Sequence, residues 1–212
     1  MIFWGHPSTS ESGLGKVRQH VNPLGPHFRT PIKAPDWKEV YEHPEQDLHI
    51  DLGCGKGRLL FELAGMNKDM NYLGVEIREL LVARADRWTR EEGRRNCCFV
   101  YGNINVSVES LLSSYPGKIR MVSVLMPDPW FKKRHQKRRL LQPELVQQGA
   151  QFFVMSDVKE CAESMIEIMD ASPLFDNWDG KWIESPLPIA TEREGSCMSR
   201  GESIYRALYT RL

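Results

Sequence analysis

Apolar and polar positions follow two different periods along this chain. Short, mostly apolar runs predict β-strands at residues 48–52, 72–76, 97–101, 121–126 and 152–155. Between them, apolar residues at helical spacing predict helices at residues 59–65, 79–92, 107–114, 143–149 and 158–171. In the second of these helices, Leu80, Ala83 and Trp88 are expected to be buried. Strands that alternate with helices predict an α/β fold, with a mostly parallel sheet and helices on both faces.

The two ends of the chain depart from this alternation. Residues 1–45 are rich in Pro, Gly and His, which predicts an irregular N-terminal arm with a short helix near residues 37–42. Beyond Pro173, a strand is predicted at residues 182–184, and the alternating pattern of residues 203–212 predicts a final antiparallel strand. We therefore expect one domain at residues 46–212, built on a seven-stranded sheet.

Charge and composition narrow the classes of function. The chain has 212 residues, with 28 basic and 28 acidic side chains, so a nucleic-acid partner would have to be bound by a local cluster of charge. No apolar run approaches the ~18 residues that span a bilayer, and no secretory signal is readable. We expect no membrane association and a cytoplasmic location, with a plastid or the nucleus as alternatives.

Cysteine spacing bears on metals and redox state. The five cysteines include no C-x-x-C pair, which argues against a zinc site, and their odd number argues against a disulfide framework. We expect no metal and a reducing compartment.

Three glycines at alternate positions follow the first predicted strand. Gly53, Gly55 and Gly57 come just after Asp51, at the edge of the sheet where such folds bind ligands. A dinucleotide-binding turn would have a third glycine where this chain has Arg58, which disfavours a nicotinamide oxidoreductase. A tight turn without a ligand is the alternative interpretation.

Polar side chains also end the next two predicted strands. Glu76 ends the second strand, where a carboxylate can accept hydrogen bonds from the two hydroxyls of a ribose. Asn103 follows the third strand. Together with Asp51, these residues favour a cofactor site at the carboxyl ends of the strands.

The fourth predicted strand runs into prolines, an aromatic residue and a basic segment. Pro127 and Pro129 restrict the backbone around Asp128, and Trp130 offers a face on which a base could stack, worth ~1–3 kcal/mol. Within residues 132–139, six of eight side chains are basic. A charge run is often only a solvated surface, but this one directly follows the predicted site. We expect it to bind RNA phosphates through Lys132, Lys133, Arg134, Lys137, Arg138 and Arg139.

At these residues the chain resembles a known family. Pro-Asp-Pro-Trp-x-Lys-Lys-Arg-His-x-Lys-Arg-Arg, at residues 127–139, resembles the hallmark of tRNA (guanine-N7-)-methyltransferases. The glycine turn is similar to motif I of class I methyltransferases. Residues 17–24, residues 156–157 and the T-x-x-E at residues 191–194 are also similar to the family, so the resemblance covers nearly all of the chain from about residue 16. Phe131 and Met126 depart from the residues that many members carry there.

The resemblance implies a Rossmann-like class I methyltransferase that takes S-adenosyl-L-methionine as methyl donor. Its substrate would be the guanine at position 46 in the variable loop of tRNA. The resemblance implies that the donor is contacted by Asp51, Gly53, Gly55, Gly57, Glu76, Asn103 and Asp128. Asp128 would be the catalytic residue. The implied substrate contacts are Lys132, Asp157, Thr191 and Glu194, although Asp157 and Glu194 could also be ordinary loop carboxylates.

Other functions stay open at this point. An amino-group methyltransferase would carry Asn/Asp-Pro-Pro-aromatic, and Asp128-Pro129-Trp130 lacks the second Pro. Another RNA or DNA base methyltransferase, or an inactive RNA-binding module on the same fold, is a further alternative. The resemblance implies a monomer or a homodimer, or a WD-repeat partner if the protein is eukaryotic.

Overall fold

The computed structural model describes residues 21–23, 25–128, 148–176 and 178–212. A 3-10 turn at Pro26–Phe28 precedes the regular elements. The strands are β1 (Asp47–Leu52), β2 (Met70–Glu76), β3 (Cys97–Tyr101), β4 (Ile119–Leu125), β5 (Gln151–Ser156) and β6 (Tyr205–Thr210). The helices are α1 (Trp37–Val40), α2 (Arg58–Met66), α3 (Glu79–Glu91), α4 (Ile104–Leu112), α5 (Lys159–Asp170) and α6 (Glu192–Ser199).

The strands of the described residues form one sheet in the order β3-β2-β1-β4-β5-β6. Strands β1 to β5 are parallel, and β6 runs antiparallel to β5. This confirms the predicted mostly parallel α/β fold with an antiparallel C-terminal strand. The strand order reverses between β1 and β4, and ligands of doubly wound sheets bind in the crevice at such a point.

Helices cover both faces of the sheet, so its central strands are buried. Alternate residues of β2 point to opposite faces: Tyr72 packs with α2 and α3, whereas Leu73 and Val75 pack with α4 and α5. The end of the predicted arm joins the second of these clusters. Trp37 and Tyr41 are buried there with their rings stacked at 5.8 Å, and the Tyr41 hydroxyl donates to the carbonyl of Tyr72.

The buried face of α3 differs from the prediction. Leu81, Val82, Ala85 and Thr89 face the core, because residues spaced by four lie on one side of a helix. The prediction that Leu80 and Ala83 are buried is wrong: both are exposed. Trp88 is half-buried and packs against Phe61.

The predicted strand at residues 182–184 is also wrong. Ile183 donates one backbone hydrogen bond to Arg206 on β6, but the described residues 178–190 contain no strand. Pro186 and Pro188, just after residues 182–184, lack backbone N–H donors, so the pairing with β6 is not extended in that direction. The described residues therefore hold six of the seven expected strands. The predicted helix at residues 143–149 falls largely outside the described residues.

The five cysteines all lie in the described part of the chain and are free thiols. Cys97 is buried, as predicted, and Cys98 is partly buried. Among the described residues, no helix has both the length and the apolar character needed to cross a membrane.

Candidate active site

The turn between β1 and α2 depends on its glycines. Gly53, Gly55 and Gly57 have φ angles of 86°, 59° and 75°, a left-handed conformation that other residues adopt only at a cost. A Cβ on Gly57 would lie 2.5 Å from the Phe99 ring and 2.9 Å from the Ala85 methyl group. The backbone therefore passes where no side chain fits, and it can approach a ligand closely.

Two cavities lie at the carboxyl ends of the parallel strands. The larger, of about 430 Å³, is lined by the ends of β1 to β4 and by α5. The smaller, of about 260 Å³, lies between the glycine turn and residues 189–193. The walls of both cavities share Gly53, Arg78, Leu125, Met126 and Asp128. The residues expected to bind a cofactor thus lie around one edge of the sheet, and Asp128 faces both spaces.

Glu76, which lines the larger cavity, is fully engaged by hydrogen bonds. Its Oε1 accepts from the backbone N–H and Nε of Arg78, each at 2.9 Å. Its Oε2 accepts from Nη2 of Arg78 at 2.9 Å and from the N–H of Gly55 at 3.0 Å. A carboxylate offers about four acceptor sites, so Arg78 must release at least one before a ribose hydroxyl can bind. Sequence reasoning missed Arg78.

Asp51 lies at the wall of the smaller cavity and is 4% exposed. The hydroxyl of Ser123 donates to its Oδ1 at 2.8 Å, and Nε2 of His49 lies 2.9 Å from the same hydroxyl. Burial raises the pKa of Asp51 to about 7, although the Ser123 hydrogen bond lowers it. Burial also lowers the pKa of His49 to about 4, so this imidazole is neutral near pH 7.

Asn103 lines the larger cavity and caps α4. Its Oδ1 accepts from the N–H of Asn105, so α4 begins at Ile104 and not at residue 107 as predicted. Its Nδ2 donates to the carbonyls of Pro23 and Phe28, at 3.0 and 3.1 Å. The amide therefore ties the segment before α1 to the edge of the cavity.

The backbone before Asp128 is strained. Met126 has a φ of 51°, the one left-handed conformation of a non-glycine residue in the described part of the chain. This costs ~1–2 kcal/mol, and a residue before proline normally prefers an extended conformation. The Met126 N–H donates to the carbonyl of Met155 at 2.8 Å. Strain held by surrounding structure is common at functional sites, and here it directs the chain into Pro127 and Asp128.

Arg78 and Asp128 lie together in the walls of both cavities. Hydrogen bonds to Glu76 raise the pKa of Arg78, and the charge of Asp128 adds to this increase. The guanidinium thus interacts with both carboxylates, and Arg78 lines both cavities.

The T-x-x-E residues form a capping box at the start of α6. The Thr191 hydroxyl accepts from the N–H of Glu194, and the Glu194 carboxylate accepts from the N–H of Thr191. Glu194 is 2% exposed, and its Oε1 also accepts from Nε and Nη2 of Arg206, at 3.0 and 2.7 Å. Both Glu194 oxygens are thus bonded inside the protein by three hydrogen bonds, and the side chain is almost fully buried.

The first turn of α6 is tied to two further elements. Glu192 pairs with Arg58 at 2.7 Å and with Lys56 at 3.2 Å, both at the glycine turn. Arg193 donates two hydrogen bonds to Oδ2 of Asp157, at the end of β5. The Arg193–Asp157 pair therefore connects the end of β5, which carries Asp157, to the start of α6, which carries Thr191. Both residues are predicted substrate contacts.

The predicted basic surface lies outside the described residues. Residues 129–147 lie outside the described residues, and they include Trp130 and the basic residues Lys132, Lys133, Arg134, Lys137, Arg138 and Arg139. Their role in binding RNA stays a prediction.

Comparison with known proteins adds to this geometry. Residues 45–207 match the family described as "Putative methyltransferase". A tRNA (guanine-N(7)-)-methyltransferase of Trichormus variabilis is 44% identical over 207 residues, which cover 93% of this chain and 96% of the relative. A protein of the same name from Synechococcus elongatus is 45% identical and covers 92% of this chain and 96% of its own. This chain belongs to the tRNA (guanine-N7-)-methyltransferase family.

Solved structures support the methyltransferase fold of this family member. A 16S rRNA methyltransferase, KamB, has a TM-score of 0.58 at 16% identity and covers 85% of this chain and 95% of its own. An antibiotic-related methyltransferase has a TM-score of 0.57 at 17% identity, and the match covers 87% of this chain and 98% of that protein. At such low identity these structures establish the fold and not the substrate.

Proposed function

We propose that this protein transfers a methyl group from S-adenosyl-L-methionine to N7 of a guanine in tRNA. The observation that carries the proposal is the pair of cavities that meet at Asp128, in a chain 44% identical to tRNA (guanine-N(7)-)-methyltransferases. The guanine at position 46 of the variable loop is the target that the family resemblance implies.

The residues around the cavities fit this donor. Its methyl group is carried on a sulfonium, whose positive charge suits a wall that includes the carboxylates of Asp51, Glu76 and Asp128. A space of about 430 Å³ lies within the usual range for small-molecule sites. The glycine turn allows the donor to lie against backbone, and Glu76 binds the ribose once Arg78 releases it. Asn103 faces the adenine end.

The methyl acceptor needs no general base. N7 of guanine carries a lone pair in the plane of the ring, so the protein has to align it and exclude water. Positive charge develops on the guanine during transfer, and the Asp128 carboxylate stabilises that charge. Asp157 and Thr191 contact the guanine edge, and Lys132 binds the RNA. We assign Glu194 to holding the turn of residues 191–194, because its oxygens already have partners.

The test is methyl transfer from tritiated donor to unmodified tRNA. We expect incorporation that depends on the guanine of the variable loop, and 7-methylguanosine after nuclease digestion. A tRNA with adenine at that position is the control, and it should accept no label. An N6- or N4-methylated product would instead indicate an amino-group methyltransferase, and donor binding without turnover would indicate an inactive RNA-binding module.

Assembly and location are further parts of the proposal. We expect a monomer or a homodimer, which light scattering of the purified protein would distinguish. A WD-repeat partner applies only if the protein is eukaryotic. We expect the protein to act in the cytoplasm.

A further inference from the structure

A chain of three buried polar side chains lies beneath the glycine turn. His49 and Asp51 point to the same face of β1, two residues apart, and Ser123 is paired with Asp51 across to β4. Nε2 of His49 lies 2.9 Å from the Ser123 hydroxyl, which donates to Oδ1 of Asp51 at 2.8 Å. His49 is 2% exposed, Ser123 0% and Asp51 4%.

Folding alone does not require such a hydrogen-bonded chain. A buried polar group is costly unless it is hydrogen-bonded, and replacing both bonded partners by apolar residues of the same shape can be nearly neutral or stabilising. The neighbouring positions of the same strands carry Ile50, Val122 and Val124. These three polar residues therefore indicate a functional role for Asp51, which lines the smaller cavity.

The hydrogen bonds that join His49, Ser123 and Asp51 have a defined direction when Asp51 is ionised. The hydroxyl of Ser123 has one hydrogen, and it donates that hydrogen to the carboxylate. Its oxygen then accepts from Nε2–H of His49, whose imidazole is neutral. His49 thus fixes the orientation of the hydroxyl, and the hydroxyl favours the charged form of Asp51.

We propose that Ser123 and His49 are positioning residues of the donor site, which favour the ionised form of Asp51 and aim it at the smaller cavity to attract the cationic methionine end of the donor. In the described residues, Asp51 alone of the three lines either cavity, so the other two act through it. The inference rests on the proposed function, because it requires a cationic ligand.

The groups that face Asp51 set the expected pH dependence. Glu76 on β2 raises the pKa of Asp51, after the larger effect of burial. The Cys54 thiol stays neutral, because burial raises its pKa well above the usual value. Arg78 and Asp128 border the same cavity, and Arg78 is paired with Glu76. With an Asp51 pKa of about 7, donor binding below pH 7 must release a proton. Affinity should therefore rise with pH and level off above about 7.

The experiment measures the affinity of the full chain for S-adenosyl-L-methionine by calorimetry, from pH 5.5 to 8.5. For Ser123→Ala we expect about tenfold weaker donor binding at pH 7, since a hydrogen bond to a charged group is lost. Its affinity should also level off at a higher pH, because the Ser123 bond lowers the pKa of Asp51. Affinity for tRNA should not change. The titration of the donor itself is common to all variants and cancels in the comparison.

Two variants of His49 keep the test valid if Ser123→Ala folds poorly. His49→Phe removes the donor to Ser123 but keeps a ring against Tyr72. His49→Gln offers an amide N–H in its place. We expect His49→Phe to shift the pH curve and weaken donor binding several-fold, and His49→Gln to restore most of both.

The control removes a buried hydroxyl from the other end of the sheet. Tyr115→Phe loses hydrogen bonds to Gln46 and Asn71, so it should lower thermal stability and leave donor affinity unchanged. Wild-type affinity and pH curve in folded Ser123→Ala, or in both His49 variants, would overturn the inference. Failure of the wild type to bind S-adenosyl-L-methionine would instead overturn the proposed function.

Discussion

The two sides of the site are built in different ways. On the donor side, Asp51 and Glu76 end parallel strands, are at most 4% exposed, and are bonded within the protein. On the acceptor side, the first turn of α6 is attached through Glu192 and Arg193, whose side chains are 37% and 49% exposed. Buried pairs fix geometry, whereas exposed pairs contribute little and can rearrange. We therefore expect the proposed donor side to be largely preformed, apart from the Arg78 bond that Glu76 must release, and the proposed acceptor side to adjust to a folded RNA.

The buried Glu194–Arg206 pair on the acceptor side should have the largest effect on stability. Glu194→Ala leaves Arg206 without its buried partner and removes half of the capping box. We expect the free energy of unfolding to fall by about 3–5 kcal/mol in urea denaturation. Glu91→Ala, which breaks the exposed pair with Arg87, should change it by less than about 0.5 kcal/mol. Equal effects of the two variants would contradict the distinction between buried and exposed pairs.

On the donor side, the glycine turn should tolerate no side chain at Gly57. Gly57→Ala adds left-handed strain and contacts with Phe99 and Ala85, so we expect a loss of about 2–4 kcal/mol and weaker donor binding. Gly93→Ala has a similar φ of 61° with nothing within 4 Å of its Cβ. It should lose only about 1 kcal/mol and bind the donor normally. A Gly57→Ala variant as stable as Gly93→Ala would show that the turn can rearrange to accept a side chain, contrary to this prediction.

The exposed pairs at Glu192 should give the smallest effect. Glu192→Gln releases Lys56 and Arg58 from α6, so we expect a few-fold higher KM for tRNA and a stability change within about 0.5 kcal/mol. The difference from wild type should shrink as salt is raised, because salt screens exposed charges. A loss of stability comparable with that of Glu194→Ala would mean that this turn is rigid.

Position along strands was readable from the sequence, but contacts between strands were not. Asp51, Glu76 and Asn103 each follow an apolar run, so their convergence at one edge follows from a parallel sheet. Ser123 meets Asp51 only because β4 lies beside β1, and a strand order is not encoded in local pattern. A lone serine among the apolar residues 121–125 was the available signal.

Two local signals led to misses that physical reasoning explains. Helix α6 was not predicted, although Thr191 and Glu194 have the spacing of a capping box, which itself indicates a helix start. The phase of α3 was wrong because Leu80 is apolar, whereas Thr89 shares the buried face with Leu81 and Ala85. Arg78 gave no signal, since an arginine two residues after a carboxylate is ordinary in any sequence.

In the proposed function, methyl transfer takes place where the two cavities meet, at Asp128. The most direct measurement is the single-turnover rate of Asp128→Asn with saturating S-adenosyl-L-methionine and tRNA, beside its affinity for each. We expect the rate to fall about 10²–10³-fold, the usual loss when one stabilising group is removed, with both affinities within a few-fold of wild type. A rate close to that of the wild type would contradict the claim.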